Sequence, residues 1–282
     1  MDYLPEVKDK IEFSKYEAIV VTGGFNSSAN FLKKFKNLKI VSVFGVGYDG
    51  VDVNFCKKKN IVVTNTPDVL TNDVADLAIS LMLGITRNIV ESHNHILRNK
   101  WINENVKLTD SLTNKIVGIV GMGKIGKAVT KRVKSFSMNV IYFGPNKKNL
   151  NIRYYNNLEN MVKKVDYLIV TCKGGKKTNN LISKKIIKAL KSSAYLINIS
   201  RGSVVDEIEL IKALKNNKIK GAGLDVFTNE PNIDKEFCEL DNVILSPHHA
   251  SGTKESRQAM AKLSSDNIFN FFHNKKAIKK VN

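Results

Sequence analysis

A chain of 282 residues with 43% hydrophobic and 25% charged residues can build two modest domains with packed cores and does not fit a disordered class. The opening segment Met1–Lys8 lacks the apolar stretch of a signal peptide, and no uncharged run reaches membrane-span length, so a cytoplasmic protein with no membrane partner is expected. A net charge of +19 would suit nucleic acid, but the lysines are scattered, as in Lys147-Lys148-Asn149 and Lys215-Asn216-Asn217-Lys218, and no basic run alternates with aromatics; the reading is a solvated surface and no nucleic-acid partner. Cys56, Cys172 and Cys238 are far apart and lack CxxC spacing, which excludes a disulfide framework and leaves no metal site indicated.

Short β-branched runs at Ala18–Val21, Ile40–Phe44 and Ile61–Val63 alternate with helical patterns over Ser28–Phe35 and Val51–Lys58, which reads as βαβ units around a parallel sheet. Pro67 interrupts. Asp73–Ile89 then carries Val74, Leu77, Ala78, Leu81, Met82 and Ile85 at helical period, apolar around so much of the helix that burial between domains or at a subunit contact is expected. A second α/β segment follows, with strands predicted at Ile116–Val120, Val140–Phe143, Tyr167–Thr171, Tyr195–Ile199, Gly221–Val226 and Val243–Leu245. Helices are predicted over Ile125–Val133, Ser183–Leu190 and Asp206–Leu214. The last amphipathic stretch, Lys254–Phe272, is expected to pack back on the first domain and make it discontinuous.

The pattern GxGxxG occurs twice. At Gly121-Met122-Gly123-Lys124-Ile125-Gly126 it follows a strand and opens a helix, where glycines permit a tight turn and close approach of a pyrophosphate to a helix N-terminus. At Gly45–Gly50 only a short helical pattern follows, so this copy reads either as an anion nest for a substrate carboxylate or as a tight structural turn. An NAD site places an acid at the tip of the next strand, about 20 residues on, to hold the ribose 2′-hydroxyl. Here that tip is Gly144, followed by Pro145, Asn146, Lys147 and Lys148. A 2′-phosphate would meet no carboxylate there, which favours NADP and leaves NAD possible.

Arg201, Glu230 and His248 each follow the end of an apolar run, at Tyr195–Ile199, Gly221–Val226 and Asn242–Leu245. If these runs are neighbouring parallel strands, their C-terminal tips share the crevice where open α/β sheets bind ligands. A guanidinium can hold a carboxylate bidentately, and an imidazole oriented by a carboxylate can pass a proton. The set suits chemistry on a small organic acid. His249 reads as structural, and His93, His95 and His273 as surface residues.

Several ordered stretches resemble the D-isomer-specific 2-hydroxyacid dehydrogenase family, in particular its glyoxylate and hydroxypyruvate reductase branch. They are GVGYDGVD at Gly45–Asp52, VTNTPDVLTNDVAD at Val63–Asp76, VGIVGMGKIG at Val117–Gly126, INISRGSVVDE at Ile197–Glu207, GAGLDVFTNEP at Gly221–Pro231 and NVILSPHHASGT at Asn242–Thr253. The resemblance implies an α/β protein: a Rossmann-type dinucleotide-binding domain, 91–254, plus a smaller flavodoxin-like substrate domain, 1–90 and 255–282, with the active site in the cleft between them and usually a homodimer. It implies that Arg201 holds the substrate carboxylate and polarises the keto oxygen, that His248 protonates that oxygen, and that Glu230 orients His248. Val46 and Gly47 match the loop that receives the carboxylate, Val74 and Asp225 positions near the nicotinamide, and Gly123, Lys124 and Ile125 the pyrophosphate turn. Gly121, Gly126, Asn146, Lys147, Cys172 and Ile199 complete the implied cofactor set. The implied activity is NAD(P)H-dependent reduction of a small 2-oxoacid to the D-2-hydroxyacid. The alternative is a nucleotide-sensing or corepressor-like binding protein on the same scaffold, or an impaired product. Three departures stand out: Pro145 where the NADP-using branch commonly has arginine, Lys173 where a proline is common, and the lack of an opening βα unit before the strand at Ala18–Val21, from which a reduced first sheet is expected.

Overall fold

The alternation of β-branched runs with helices produces two parallel sheets, each in its own unit. The computed structural model describes residues 11–274 and 277–282, so Met1–Lys8 lies outside the described residues. The chain divides into one unit of residues 1–70 with 253–282 and a second of residues 71–252.

In the first unit, strands β1 (Ala18–Thr22), β2 (Ile40–Phe44) and β3 (Val62–Thr64) form a parallel sheet in the order β1-β2-β3. Its core gathers Val21, Leu32, Val41, Val43, Cys56 and Val63, the inward side chains of the βαβ units. The helix Lys254–Asn274 packs on β2, with Ser42 Oγ and Ser264 Oγ 2.8 Å apart where two buried hydroxyls satisfy each other. The chain end runs along the free edge of β3: Val281 donates to Val63 O over 2.8 Å, and Val63 N–H donates to Asn282 Oδ1 over 2.8 Å. These bonds supply the partners an edge strand otherwise lacks.

The second unit is built on seven parallel strands: β4 (Ile116–Val120), β5 (Asn139–Phe143), β6 (Arg153–Tyr155), β7 (Tyr167–Val170), β8 (Tyr195–Asn198), β9 (Gly221–Leu224) and β10 (Val243–Leu245). Their order is β10-β9-β8-β7-β4-β5-β6, so the winding reverses between β4 and β7, and the C-terminal tips of these strands border the crevice that doubly wound sheets use for ligands. β6 and the helix Leu158–Val162 were not foreseen. Both are too short to show a period, and β6 carries Arg-Tyr-Tyr instead of an apolar run.

The boundary differs from the expected 90/91 and 254/255 because the helix Thr71–Thr86 belongs to the second unit. Its apolar side lies on that unit's sheet. A Cβ at Gly223 of β9 would collide with Leu81, and one at Gly221 would crowd Ile85. Two glycines in one short strand thus let the helix approach closely. Arg132 Nε donates to Asp76 Oδ1 over 2.6 Å and ties the same helix to the helix Lys124–Lys134. The helix stops short of the expected Ile89 because Asn88 adopts a left-handed conformation, φ +50°, and a new helix runs from Ile89 to Leu97. His95, expected at the surface, is buried there, its Nε2 3.1 Å from Glu104 O.

Candidate active site in the second unit

The glycine turn after β4 has a different job for each glycine. Gly121 takes φ +101°, and a Cβ on it would run into the Cys172 backbone at the tip of β7. A Cβ on Gly126 would strike Gly121 O and Thr171 Oγ1, so its absence lets the helix seat against the turn, where Thr171 Oγ1 donates to Gly121 O over 2.7 Å. At Gly123 a Cβ would meet nothing, and this residue caps the N-terminus of Lys124–Lys134, whose first turn has no acidic residue. An open position at a helix N-terminus free of carboxylates fits a pyrophosphate. Lys124 is exposed beside it, and Ile125 is half-buried.

The tip of β5 lies beside this turn, because Gly121 N–H donates to Phe143 O over 2.9 Å. Gly144 has open space where a Cβ would stand, and Asn146, Lys147 and Lys148 are exposed. Two phenols hold the loop: Lys148 N–H donates to Tyr142 Oη over 2.7 Å, and Tyr154 Oη donates to Gly144 O over 3.0 Å. Tyr154 stands on β6, so the unforeseen strand shapes this end of the site. Cys172 is half-buried, and Ile199 and Val74 are buried, Val74 on the first turns of Thr71–Thr86. Burial raises the Cys172 thiol pKa, against the hydrogen bond with Ser200.

Arg201, Glu230 and His248 come from the tips of adjacent strands, β8, β9 and β10. β8 and β9 stop one and two residues earlier than their expected runs, whereas β10 ends at Leu245 as expected; past β8 a polar side chain turns the chain. Asn198 Nδ2 donates to Arg201 O over 3.0 Å while its Oδ1 accepts from Ser200 N–H over 3.1 Å. Gly202 follows Arg201 because a Cβ there would overlap the Phe227–Thr228 backbone. The Arg201 and Glu230 loops therefore touch through main chain. Gly202→Ala is expected to destabilise the unit by about 1–3 kcal/mol through overpacking. Thermal unfolding at wild-type stability would show that these loops separate at little cost.

Glu230 uses both carboxylate oxygens. Oε1 accepts from Phe227 N–H over 2.8 Å, and Oε2 lies 2.6 Å from His248 Nδ1. Burial alone pushes the Glu230 carboxyl up, but the His248 hydrogen bond, the Phe227 N–H and the nearby charges of His248 and Arg201 outweigh it, and the net direction is down. Glu230 is the anion of the pair. His248, exposed over 42% of its side chain, leaves Nε2 as the ring nitrogen not taken by Glu230. Beside the pair lies an open hollow of about 470 Å³ with apolar walls from Phe227, Pro231, Ile233, Leu245 and Pro247. Asp225 is fully buried, and its carboxylate faces the segment Ser246–Ala250. The sequence reading also missed Asn198, Ser246 and Glu207; Glu207 Oε1 accepts from Thr228 N–H over 2.7 Å and steadies the Glu230 loop.

Val46 and Gly47 lie in the first unit, half-buried just past β2. Asn65 Nδ2 donates to Val46 O over 2.9 Å, and Gly45 exchanges bonds with Thr66, accepting at O over 2.9 Å and donating to Oγ1 over 3.0 Å. Gly50 is a packing glycine, because a Cβ there would strike Phe25 O and Gly23 O. This copy of the glycine pattern is therefore a braced loop whose last glycine serves close backbone packing.

A dinucleotide-type glycine turn with a carboxylate–imidazole pair and an arginine on the tips of one parallel sheet defines a nucleotide-dependent enzyme acting on a small acid. The chain belongs to the D-isomer specific 2-hydroxyacid dehydrogenase family: the model of that family's NAD binding domain matches residues 79–250. It is 41% identical to a glyoxylate/hydroxypyruvate reductase A of Arabidopsis thaliana over 94% of this chain and 85% of that one. It is also 41% identical to a hydroxyphenylpyruvate reductase of Plectranthus scutellarioides, with the same shares covered. Among solved structures, an NADPH-dependent glyoxylate/hydroxypyruvate reductase from Sinorhizobium meliloti in complex with NADP and malonate superposes with TM-score 0.92 at 37% identity, covering 96% of this chain and 86% of that one.

Proposed function

We propose that this enzyme reduces a small 2-oxoacid, with glyoxylate and hydroxypyruvate favoured, to the D-2-hydroxyacid with NADPH, NADH being the weaker donor. The observation that carries the reading is the 2.6 Å contact of His248 Nδ1 with Glu230 Oε2 on strand tips next to the one bearing Arg201. Gly121–Gly126 would hold the dinucleotide, with Asn146 and Lys147 toward its 2′-phosphate, and the bound group would supply the hydride. Arg201 binds the substrate carboxylate and stabilises the oxygen as it gains charge. His248 delivers a proton from Nε2 to that oxygen, and Glu230 keeps the ring oriented and favours its imidazolium form. We assign the Val46–Gly47 main chain of the first unit a carboxylate-receiving role. Purified protein should oxidise NADPH only when a 2-oxoacid is present, giving the D-product on chiral analysis. Failure with both NADPH and NADH across glyoxylate, hydroxypyruvate, pyruvate and an aromatic 2-oxoacid overturns the reading.

We also place the enzyme in the cytoplasm as a homodimer. Its three cysteines, Cys56, Cys172 and Cys238, are all free thiols, in keeping with a reducing compartment. Among the described residues no helix is long and apolar enough to cross a membrane. The segment from Ile89 to Leu108 exposes Leu97, Trp101 and Ile102 by 67%, 68% and 80%, an apolar surface of the kind that marks a protein interface. A second copy is the occupant we assign to it. Trp101→Asp combined with Ile102→Asp should turn a dimer into a monomer by light scattering, and a wild-type monomer at micromolar concentration would refute the assignment.

A further inference from the structure

We infer that Glu207 is a positioning residue for Glu230, holding the loop that carries it onto the segment that carries Arg201. The inference rests on the Glu230–His248 pair acting as the proton donor proposed above. Apolar packing does not fix this loop. Phe227 is its last buried residue, resting edge to face on Phe237 with ring centroids 5.8 Å apart, and Thr228, Asn229 and Glu230 are exposed. Glu230 turns back on its own loop, since Oε1 accepts from Phe227 N–H over 2.8 Å, so its carboxylate follows the Phe227–Thr228 peptide. Two features of the Arg201 segment hold that peptide. Gly202 lies against it with no room for a Cβ, and five residues on, Glu207 Oε1 accepts from Thr228 N–H over 2.7 Å. Contact with Gly202 keeps the peptide from coming closer, and the Glu207 bond keeps it from leaving.

Helix capping does not explain the acid at 207. Glu207 opens the helix Glu207–Lys215, where a carboxylate suits the helix dipole. The cap, however, is made by Asp206, whose Oδ1 accepts from Glu209 N–H over 3.2 Å, and Glu209 supplies a second acid to the same turn. The surroundings of Glu207 are unfavourable to its charge. Burial pushes its carboxyl up, the hydrogen bonds from the Thr228 main chain and side chain oppose this, and the charges of Asp234 and Glu230 add to the rise, so the net direction is up. A carboxylate kept in place against burial and like charges is accounted for by the bond it makes, and that bond ends on the loop bearing Glu230.

Reach and charge separate cleanly at this position. Glu207→Gln keeps the accepting oxygen without the charge, Glu207→Asp keeps the charge but draws it back by one methylene, and Glu207→Ala removes both. Expected is a kcat close to wild type for Glu207→Gln. Glu207→Asp and Glu207→Ala should lose kcat on the order of 10- to 100-fold, the larger figure being the cost of a reacting group misplaced by about an ångström. KM for the 2-oxoacid should stay near the wild-type value in all three, because Asn198 holds the Arg201 main chain independently. The low-field proton resonance of the His248–Glu230 hydrogen bond should shift or broaden in Glu207→Asp and Glu207→Ala and keep its place in Glu207→Gln. If Glu207→Ala does not fold, the contrast between the other two decides the matter. Loss in Glu207→Gln with Glu207→Asp near wild type would overturn the inference in favour of a charge effect. Unchanged kcat and an unmoved resonance in Glu207→Asp and Glu207→Ala would overturn it outright. The resonance needs no turnover, so if the wild-type protein reduces no 2-oxoacid, the proposed function fails while a resonance moved by Glu207→Asp and not by Glu207→Gln still supports the positioning role.

Discussion

His248→Ala is expected to lower kcat for 2-oxoacid reduction by roughly 10²- to 10⁴-fold, the usual contribution of a positioned acid or base, with NADPH affinity unchanged. Nothing on neighbouring tips replaces the imidazole, since Arg201 gives up no proton near neutral pH. Glu230→Gln should cost less but alter the pH profile. The depressed Glu230 carboxyl is ionised at neutral pH, and its charge favours the imidazolium that reduction consumes. Without that charge, the alkaline fall in reduction rate should move to lower pH. The sign for stability runs the other way along the pH axis: a carboxyl lowered by folding stabilises the fold above its unfolded pKa, and the contribution is lost as pH falls through the folded value. A Glu230→Gln profile that overlays the wild type would remove Glu230 from the proton-donor pair, and full turnover by His248→Ala would remove the imidazole from the reaction.

The parts of this molecule that follow periodic rules were readable in the chain. The runs at Ile116–Val120 and Tyr195–Asn198 are β-branched and bounded by turn residues, and they are buried parallel strands. Arg201, Glu230 and His248 follow the runs at Tyr195–Ile199, Gly221–Val226 and Asn242–Leu245, and the structure places them beyond the ends of adjacent strands. What could not be read depends on partners distant in sequence. The strand Arg153–Tyr155 owes its place to pairing with β5 and to the Tyr154–Gly144 bond, neither of which leaves a periodic trace. His95 reads as polar, yet one carbonyl, that of Glu104, suffices to bury it. The helix Thr71–Thr86 announced its apolar surface but not the sheet it covers, because that choice lies with Gly221 and Gly223 far along the chain. Asp225 shows the same limit at the site: nothing in its motif tells that Ser246, His249 and Ala250 are its donors.

The second large effect concerns the cofactor, where Gly144→Asp is expected to reverse the preference from NADPH to NADH. Gly144 ends the strand beside the glycine turn, and a Cβ there meets no atom within 4 Å, so an aspartate fits without disturbing the loop that Tyr142 and Tyr154 hold. Its carboxylate would stand where dinucleotide-binding sheets place the acid that grips a ribose 2′-hydroxyl. NADH gains that bond. For NADPH the same group faces the 2′-phosphate, and like charges brought together at a binding surface cost several kcal/mol. At about 1.4 kcal/mol per tenfold, the ratio of kcat/KM for NADPH over NADH should fall by roughly two to three orders of magnitude. On the proposed reading Lys147 and Lys148, exposed on the same loop, would set the opposite bias in the wild type, and Lys147→Ala should weaken NADPH while sparing NADH. The difference between the cofactors should shrink at high salt, because exposed charges are screened. A Gly144→Asp enzyme that keeps its NADPH preference would show that the 2′-end of the dinucleotide is read elsewhere on the sheet.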